Sequence, residues 1–160
     1  MEKVLVTGAT GYIALHCVQQ LLDQGYAVNG SIRSPERKNE VIEALKNSGT
    51  STENLNLYVF DLTNDEGWDD GMEGCDYLLH VASPLALENH TEDYFVKPAV
   101  AGAKRALKFA KKHGVKKVVL TSSVAAIFET GEEKVFYDES DWSDPDLSLI
   151  HISEPTRRVF

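Results

Sequence analysis

The chain has 160 residues, 42% of them hydrophobic, which suffices for the core of one domain and excludes a disordered protein. Its formal net charge of −9 argues against nucleic acid or an anionic membrane surface as a partner. No apolar stretch approaches membrane-spanning length and no leader precedes the first predicted strand, so we expect a cytoplasmic location. Cys17 and Cys75 lack the spacing of metal ligands, and neither a metal site nor a disulfide framework is expected.

The first predicted unit is a strand, a glycine-rich turn and a helix. The apolar run at 4–6 is broken by TGATG at 7–11, and apolar residues then recur at helical spacing until about Gly25. Such a turn suits a pyrophosphate, because Gly8 permits the tight bend and Gly11 lets the backbone approach the ligand. The helix start adds N–H groups and its dipole. A purely structural strand-to-helix turn is the alternative interpretation.

Alternating strands and helices follow along the chain. A second helix is expected to begin with Ser34 as N-cap and Pro35 in its first turn and to end at Gly49, while a long one ends at Gly114 with an early interruption at Pro98. The basic cluster at 108–117 is interpreted as a solvated helix end. Strands two to five are predicted at 26–34, 54–63, 75–84 and 116–127.

This alternation predicts an α/β fold, a doubly wound parallel sheet of the Rossmann type. We expect the strand order 3-2-1-4-5. In sheets of this kind a ligand binds at the carboxyl ends of the strands, where the strand order reverses, here beside strands 1 and 4.

The end of strand 2 predicts which dinucleotide binds. An acidic residue there would bind a free ribose 2′-OH, whereas this chain has Arg33, followed within one turn by Arg37 and Lys38. We therefore infer NADP(H) over NAD(H), with Arg33 and Lys38 as the candidate ligands. The alternative is that these are surface charges at a helix start, where cations oppose the helix dipole.

Strands 3 and 4 end in residues that can approach a nucleotide. Asp61 and Leu62 are placed to meet an adenine amino group, although Asp61 can equally cap the next short helix. Ala82 is small enough for close approach by a cofactor. His80 lies within an apolar run, so a buried, hydrogen-bonded histidine is expected rather than a catalytic one.

Strand 5 ends in three hydroxyl residues, Thr121, Ser122 and Ser123. Hydroxyl groups at this edge can hydrogen-bond a substrate carbonyl or its developing oxyanion. A Ser/Thr cluster at a strand end is also ordinary turn chemistry. The residues alone leave these two interpretations open.

The chain resembles the extended short-chain dehydrogenase/reductase family, in particular its dihydroflavonol reductase, cinnamoyl-CoA reductase and aldehyde reductase branch. The resemblance covers nearly all of residues 1–146 in family order. The matching segments are TGATGYIA at 7–14, SIRS at 31–34, DLT at 61–63, HVASP at 80–84, VKPAVAGAKRAL at 96–107, VVLTSSVAAI at 118–127 and YDESDWSDPD at 137–146. It implies NADPH-dependent reduction of an aldehyde or ketone, a small-molecule carbonyl substrate, to an alcohol.

The resemblance also implies roles for individual residues. Arg33 would bind the 2′-phosphate, and Ser123 would be the catalytic serine. Ser122 would take that role if the register differs, and would otherwise lie beside the cofactor. The remaining implied contacts are Gly8, Gly11, Tyr12 and Ile13 with the pyrophosphate, Asp61 and Leu62 with adenine, and Ala82 and Thr121 on the nicotinamide side.

Two features depart from the family pattern. The Tyr-x-x-x-Lys pair that the family's mechanism needs is missing, because Tyr137 is the only tyrosine after Ser123 and Asp141 stands where the lysine would be. The segment LSLIHISEPTR at 147–157 matches the translation of a transposase-type sequencing adapter. We therefore expect residues 1–146 to be an incomplete NADP-binding domain, and 147–160 to be a non-native tail, the alternative being a diverged native one.

Three other functions stay open from the sequence. Two are enzymes of the same superfamily: an NAD-dependent sugar-nucleotide epimerase or dehydratase, and a hydroxysteroid dehydrogenase. Arg33 argues against them, since an acidic residue is frequent after strand 2 in those enzymes. The third is an NADP-sensing protein without turnover, which would also lack the tyrosine. The sequence does not indicate the oligomeric state.

Overall fold

The computed structural model describes residues 1–83, 92–128 and 135–143. The predicted tail at 147–160 lies outside the described residues. The strands are β1 (Lys3–Val6), β2 (Ala27–Ile32), β3 (Leu55–Val59), β4 (Tyr77–His80) and β5 (Lys117–Leu120). The helices are α1 (Tyr12–Asp23), α2 (Lys38–Asn47, after a 3₁₀ turn at Pro35–Arg37), α3 (Trp68–Met72), α4 (Glu92–Lys112) and α5 (Ala125–Phe128).

Within the described residues the strands form one parallel sheet in the order β3-β2-β1-β4-β5. The predicted fold class and strand order are confirmed. The order reverses between β1 and β4, which are hydrogen-bonded neighbours. The carboxyl ends of these two strands therefore mark the position where this type of sheet binds its ligand.

Each face of the sheet has its own core, as a doubly wound fold requires. One core packs α1 and α2 against the sheet around Val4, Val6 and Val28. The other packs α3 and α4 against the opposite face around Leu5, Trp68 and Leu78. The strand β1 contributes side chains to both cores, and its residues Val4, Leu5 and Val6 are buried, so the turn that leaves it starts from a fixed position.

The predicted helix ends are confirmed at three glycines. After α1, the Gly25 N–H donates to Leu22 O and the Tyr26 N–H to Leu21 O, which is the Schellman arrangement. The same pair of bonds follows α2 at Gly49 and α4 at Gly114. The lysines of the basic cluster at 108–117 are exposed, as expected, and Lys108 and Lys112 form ion pairs with Asp65 and Asp69.

Three predictions of local structure were wrong. Pro98 does not interrupt the long helix, because α4 runs through it. The fifth strand ends at Leu120 rather than at 127, and Ala125–Phe128 is helical. The second helix was predicted to begin directly after Ser34, but α2 begins at Lys38. Ser34 is the N-cap of a separate 3₁₀ turn that starts at Pro35, and its side chain makes no capping hydrogen bond.

The chain divides into two compact units. The first contains 1–86 and 93–121, and therefore the whole sheet. The second contains 87–92 and 122–160. Across residues 1–83, 92–128 and 135–143, no helix combines the length and the apolar character needed to cross a bilayer.

Candidate functional site: a cleft at the strand ends

The turn after β1 is held in a conformation that favours glycine. Gly8 has φ of +73°, and a Cβ added there would lie 2.9 Å from the Cβ of Ala82. Its N–H donates to Ser31 Oγ at 2.8 Å, and the next N–H, of Ala9, donates to Ser31 O at the same distance. The turn is thereby attached to β2 on one side and packed against the end of β4 on the other.

The start of α1 carries N–H groups suited to an anion. Gly11 is the N-cap, with no side-chain hydrogen bond to the helix start, and the first helical bond is from Leu15 N to Gly11 O at 2.8 Å. The N–H groups of Tyr12, Ile13 and Ala14 precede that bond and so have no carbonyl acceptor within the helix. The first turn holds no acidic residue to oppose the positive end of the dipole.

A cleft of about 450 Å³ opens at these strand ends. It is bounded by the glycine turn, the start of α1, and the residues that follow β2, β3 and β4. Its lining residues are Gly8, Thr10, Gly11, Tyr12, Ile13, Ala14, Ser31, Ile32, Arg33, Arg37, Phe60, Asp61, Leu62, Val81, Ala82 and Ser83. The predicted cofactor residues from strands 1 to 4 thus come together, with the exception of Lys38.

Two guanidinium groups lie at the β2 side of the cleft. Arg33 is exposed, and its Nε is 3.6 Å from Asp61 Oδ2. Arg37 is held by Glu40 through Nε and Nη2, at 3.0 and 2.8 Å from Oε2. Arg37, rather than the predicted Lys38, is the second cation that lines the cleft. The reason is the 3₁₀ turn at Pro35–Arg37, which changes the direction of successive side chains before α2 begins.

Asp61 is engaged in a local turn. Its Oδ1 accepts hydrogen bonds from Thr63 N at 2.7 Å and from Thr63 Oγ1 at 2.6 Å. These bonds, assisted by Arg33 and Arg105, hold the pKa of the Asp61 carboxyl below its ordinary value despite partial burial. The alternative role as a helix cap is wrong, because α3 starts after Gly67. A role toward adenine stays a prediction.

A buried hydrogen-bond network lies under the cleft. Thr7 Oγ1 is 3.0 Å from His80 Nδ1 and accepts bonds, also of 3.0 Å, from the N–H groups of Val81 and Ala82. Thr7 and His80 are 0% and 3% exposed. Burial lowers the pKa of His80. The expectation of a buried, hydrogen-bonded His80 is confirmed.

Thr121, the first of the hydroxyl residues after β5, does not line the cleft. Thr121 extends the sheet by one bond, from its N–H to His80 O at 3.0 Å, and its side chain is exposed. Ser122 and Ser123 are exposed and belong to the second unit, where Ser123 O accepts the first hydrogen bond of the turn into α5. Their predicted roles toward nicotinamide and substrate stay predictions.

Thr7 and Ser31 were not predicted from the sequence as site residues. Arg37 was noted there, but Lys38 was predicted as the second cationic ligand. Thr7 carried a signal, since a hydroxyl residue at the point where a central strand leaves the sheet can replace a missing backbone partner. Ser31 carried none, because its contact with Gly8 depends on the pairing of β1 with β2.

Residues 4–147 match the NAD dependent epimerase/dehydratase family. The chain belongs to this family. This membership agrees with the extended short-chain dehydrogenase/reductase resemblance on which the residue roles were predicted.

Named relatives are reductases. The chain is 37% identical to a dihydroflavonol 4-reductase of Solanum lycopersicum, with 90% of this chain and 38% of the relative covered. The crystal structure of vestitone reductase from alfalfa superposes with a TM-score of 0.77 at 34% identity, covering 96% of this chain and 46% of that one. The yeast methylglyoxal/isovaleraldehyde reductase complexed with NADPH gives 0.77 at 31% identity, covering 92% and 48%. The chain thus spans less than half the length of these proteins.

Proposed function

We propose that this chain is the nucleotide-binding part of an NADPH-dependent reductase that converts an aldehyde or ketone to an alcohol. One observation carries the proposal. A single cleft combines a glycine turn, which would leave room for a pyrophosphate, with two guanidinium groups at the end of β2. Reductases among the relatives, one of them complexed with NADPH, support both the reaction and the cofactor.

The residues present fit a dinucleotide phosphate. The Gly8 turn has no room for a side chain, and the N–H groups of the first turn of α1 are the donors that a pyrophosphate needs. A 2′-phosphate carries up to two further negative charges, for which planar guanidinium groups are strong ligands. Arg33 and Arg37 would bind it in addition to their carboxylate neighbours Asp61 and Glu40, whereas NADH carries no phosphate at this position.

Catalysis divides between the cofactor and the chain. The bound NADPH would supply the hydride. Ser123, or Ser122 if the register differs, would donate a hydrogen bond to the carbonyl oxygen and stabilise the charge that develops there. Because the sequence after Ser123 holds no Tyr-x-x-x-Lys pair, we assign no proton donor within it. General-acid catalysis is worth about 10² to 10⁴-fold, so we expect no measurable reduction by the 160-residue chain.

Binding titrations test the cofactor assignment. We expect the wild-type chain to bind NADPH more tightly than NADH, with energy transfer from the buried Trp68 as one readout. The substitution Arg33→Asp turns attraction into repulsion and should weaken NADPH by about 10 to 100-fold, the equivalent of one charge-assisted hydrogen bond. NADH affinity should change little.

The charge-preserving variant Arg33→Lys is the control and should retain most of the preference. An unchanged ratio of the two affinities in Arg33→Asp would contradict the assignment, and a wild-type preference for NADH would favour an NAD-dependent epimerase or dehydratase. The reaction is tested on the protein from the uninterrupted reading frame, by following NADPH consumption with a panel of aldehydes and ketones. Tight NADPH binding without turnover of any carbonyl would instead favour an NADP-sensing protein.

A further inference from the structure

The hydroxyl of Thr7 replaces a missing part of the sheet. The last backbone bond between β1 and the strand beside it runs from Thr7 N to Leu79 O, at 3.0 Å. Beyond it β1 turns away at Gly8, so the amides that follow β4 have no strand carbonyl on that side. The N–H groups of Val81 and Ala82 both donate to Thr7 Oγ1 instead.

Counting protons fixes the direction of the third bond. A threonine hydroxyl has one proton and two lone pairs, and the two backbone N–H groups occupy both lone pairs. The contact with His80 Nδ1 at 3.0 Å must then be made by the Thr7 O–H as donor. Nδ1 is consequently the unprotonated nitrogen of His80, and the ring proton is on Nε2.

An imidazolium would not fit this arrangement. Protonated Nδ1 would present a donor to a hydroxyl whose lone pairs are already used, and both side chains are shielded from water. The lowered pKa of His80 agrees with a neutral ring. The acceptor His80 Nδ1 therefore holds the Thr7 hydroxyl in one rotational state. In that state both lone pairs of Thr7 Oγ1 are directed at the amides of Val81 and Ala82.

This network ends at the cleft. Ala82, held through its N–H, is the residue that faces Gly8, and both line the cleft. A Cβ on Gly8 would come within 2.9 Å of the Ala82 Cβ and 3.3 Å of its Cα, so the two segments are in close contact. A small displacement of Ala82 would therefore change the shape of the cleft floor.

We propose that Thr7 and His80 act as a pair of positioning residues for the nucleotide: His80 orients the Thr7 hydroxyl through Nδ1, and that hydroxyl fixes the Gly8–Ala82 floor on which the dinucleotide lies. The proposal rests on the proposed nucleotide-binding function. Neither residue touches the ligand, and their effect is transmitted through the amides of Val81 and Ala82.

Two matched pairs of variants of the 160-residue chain test the proposal. Thr7→Val removes the hydroxyl at constant shape, and Thr7→Ser keeps it. His80→Leu removes the acceptor, and His80→Asn places an amide oxygen near the position of Nδ1. We expect Thr7→Val and His80→Leu to weaken NADPH binding by about tenfold or more, and Thr7→Ser and His80→Asn to stay within about threefold of wild type.

Two measurements on the ligand-free protein test the network independently. Long-range ¹H–¹⁵N spectra should show His80 with Nδ1 unprotonated and Nε2 protonated. Hydrogen exchange at the amides of Val81 and Ala82 should be slow in wild type, Thr7→Ser and His80→Asn, and faster in His80→Leu. A purely structural role would lower the unfolding temperature of His80→Leu while leaving the NADPH affinity of the folded protein unchanged, and that result would overturn the proposal.

Nucleotide binding and the positioning network are overturned by different results. The wild-type protein could show the expected tautomer and protected amides and yet bind no NADPH. That result would overturn the nucleotide-binding function, and with it the role of Thr7 and His80 in positioning a nucleotide. A protein that binds NADPH while His80 carries its proton on Nδ1, or while both amides exchange rapidly, would overturn the positioning network and leave the function standing. If Thr7→Val does not fold, the His80 pair gives the same decision.

Discussion

The two sides of the cleft are built from different materials. The floor consists of backbone and buried groups, where Gly8 packs on Ala82 and Thr7 binds two amides. The β2 side consists of the charged ends of Arg33, which is exposed, and Arg37, which is half-buried. Buried hydrogen bonds are not screened by salt, whereas exposed charge pairs are. We infer that the floor provides affinity for any dinucleotide, and that the arginines distinguish NADPH from NADH.

The largest effect is expected at the floor. The substitution Gly8→Ala places a Cβ 2.9 Å from that of Ala82 and forces an L side chain to φ of +73°. Something must shift, and the shift is in the floor of the cleft. We expect NADPH and NADH affinity to fall together by about 100-fold or more, which corresponds to about 2.7 kcal/mol, as measured by titration calorimetry.

The matched control for Gly8 is Gly25→Ala. Gly25 has φ of +84°, and nothing lies within 4 Å of its added Cβ, so this variant reports the backbone strain alone. We expect it to cost about 1 kcal/mol of stability and to leave binding unchanged. Equal losses of binding in the two variants would show that the floor is not a special site.

An intermediate effect is expected on the β2 side. Arg37→Gln removes a guanidinium that lines the cleft, and Lys38→Gln removes the neighbouring charge that does not. We expect Arg37→Gln to weaken NADPH by about fivefold to tenfold with NADH unaffected, and this loss should shrink at high salt. Competitive titrations at two ionic strengths measure both. A larger loss in Lys38→Gln would reverse the assignment of the second cation.

A smaller effect concerns pH and the buried network. Because burial lowers the pKa of folded His80 below its ordinary 6.5, the unfolded chain binds a proton first. Stability should therefore decline as pH falls below about 6.5 and continue to decline down to the folded pKa. His80→Asn should remove this part of the pH dependence in urea unfolding curves. The carboxyl groups of Asp65, Asp69 and Asp76 contribute separately, since their pKa values lie below an ordinary 3.8. An identical pH profile in wild type and His80→Asn would contradict a neutral, buried His80.

The parts of the structure that sequence predicted are those governed by local rules. The glycine turn, the helix ends at Gly25, Gly49 and Gly114, and the alternation of strands and helices each have a local physical signature. The fold and most of the cleft lining follow from them. Arg33 was found in the same way, because the residue after strand 2 has a defined position at the edge of the sheet.

The errors arise at the boundaries between elements, which composition and periodicity do not fix. VVLTSSVAAI has the composition of a strand, yet the pairing with β4 ends with the Thr121 bond to His80. The chain then forms the i to i+3 bonds of a turn, from Ala126 to Ser123 and from Ile127 to Val124. The choice of Lys38 over Arg37 failed for a related reason, since composition does not indicate where a 3₁₀ turn changes into an α-helix.

The most direct test of the account is the pattern of backbone amide shifts when the 160-residue chain is titrated with NADPH and, separately, with NADH. We predict that both nucleotides shift the amides of 8–14 and of Val81 and Ala82, and that NADPH alone strongly shifts those of 33–37. Shifts confined to other parts of the chain, or the same pattern for both nucleotides, would contradict a cleft in which backbone binds the pyrophosphate and two arginines bind the 2′-phosphate.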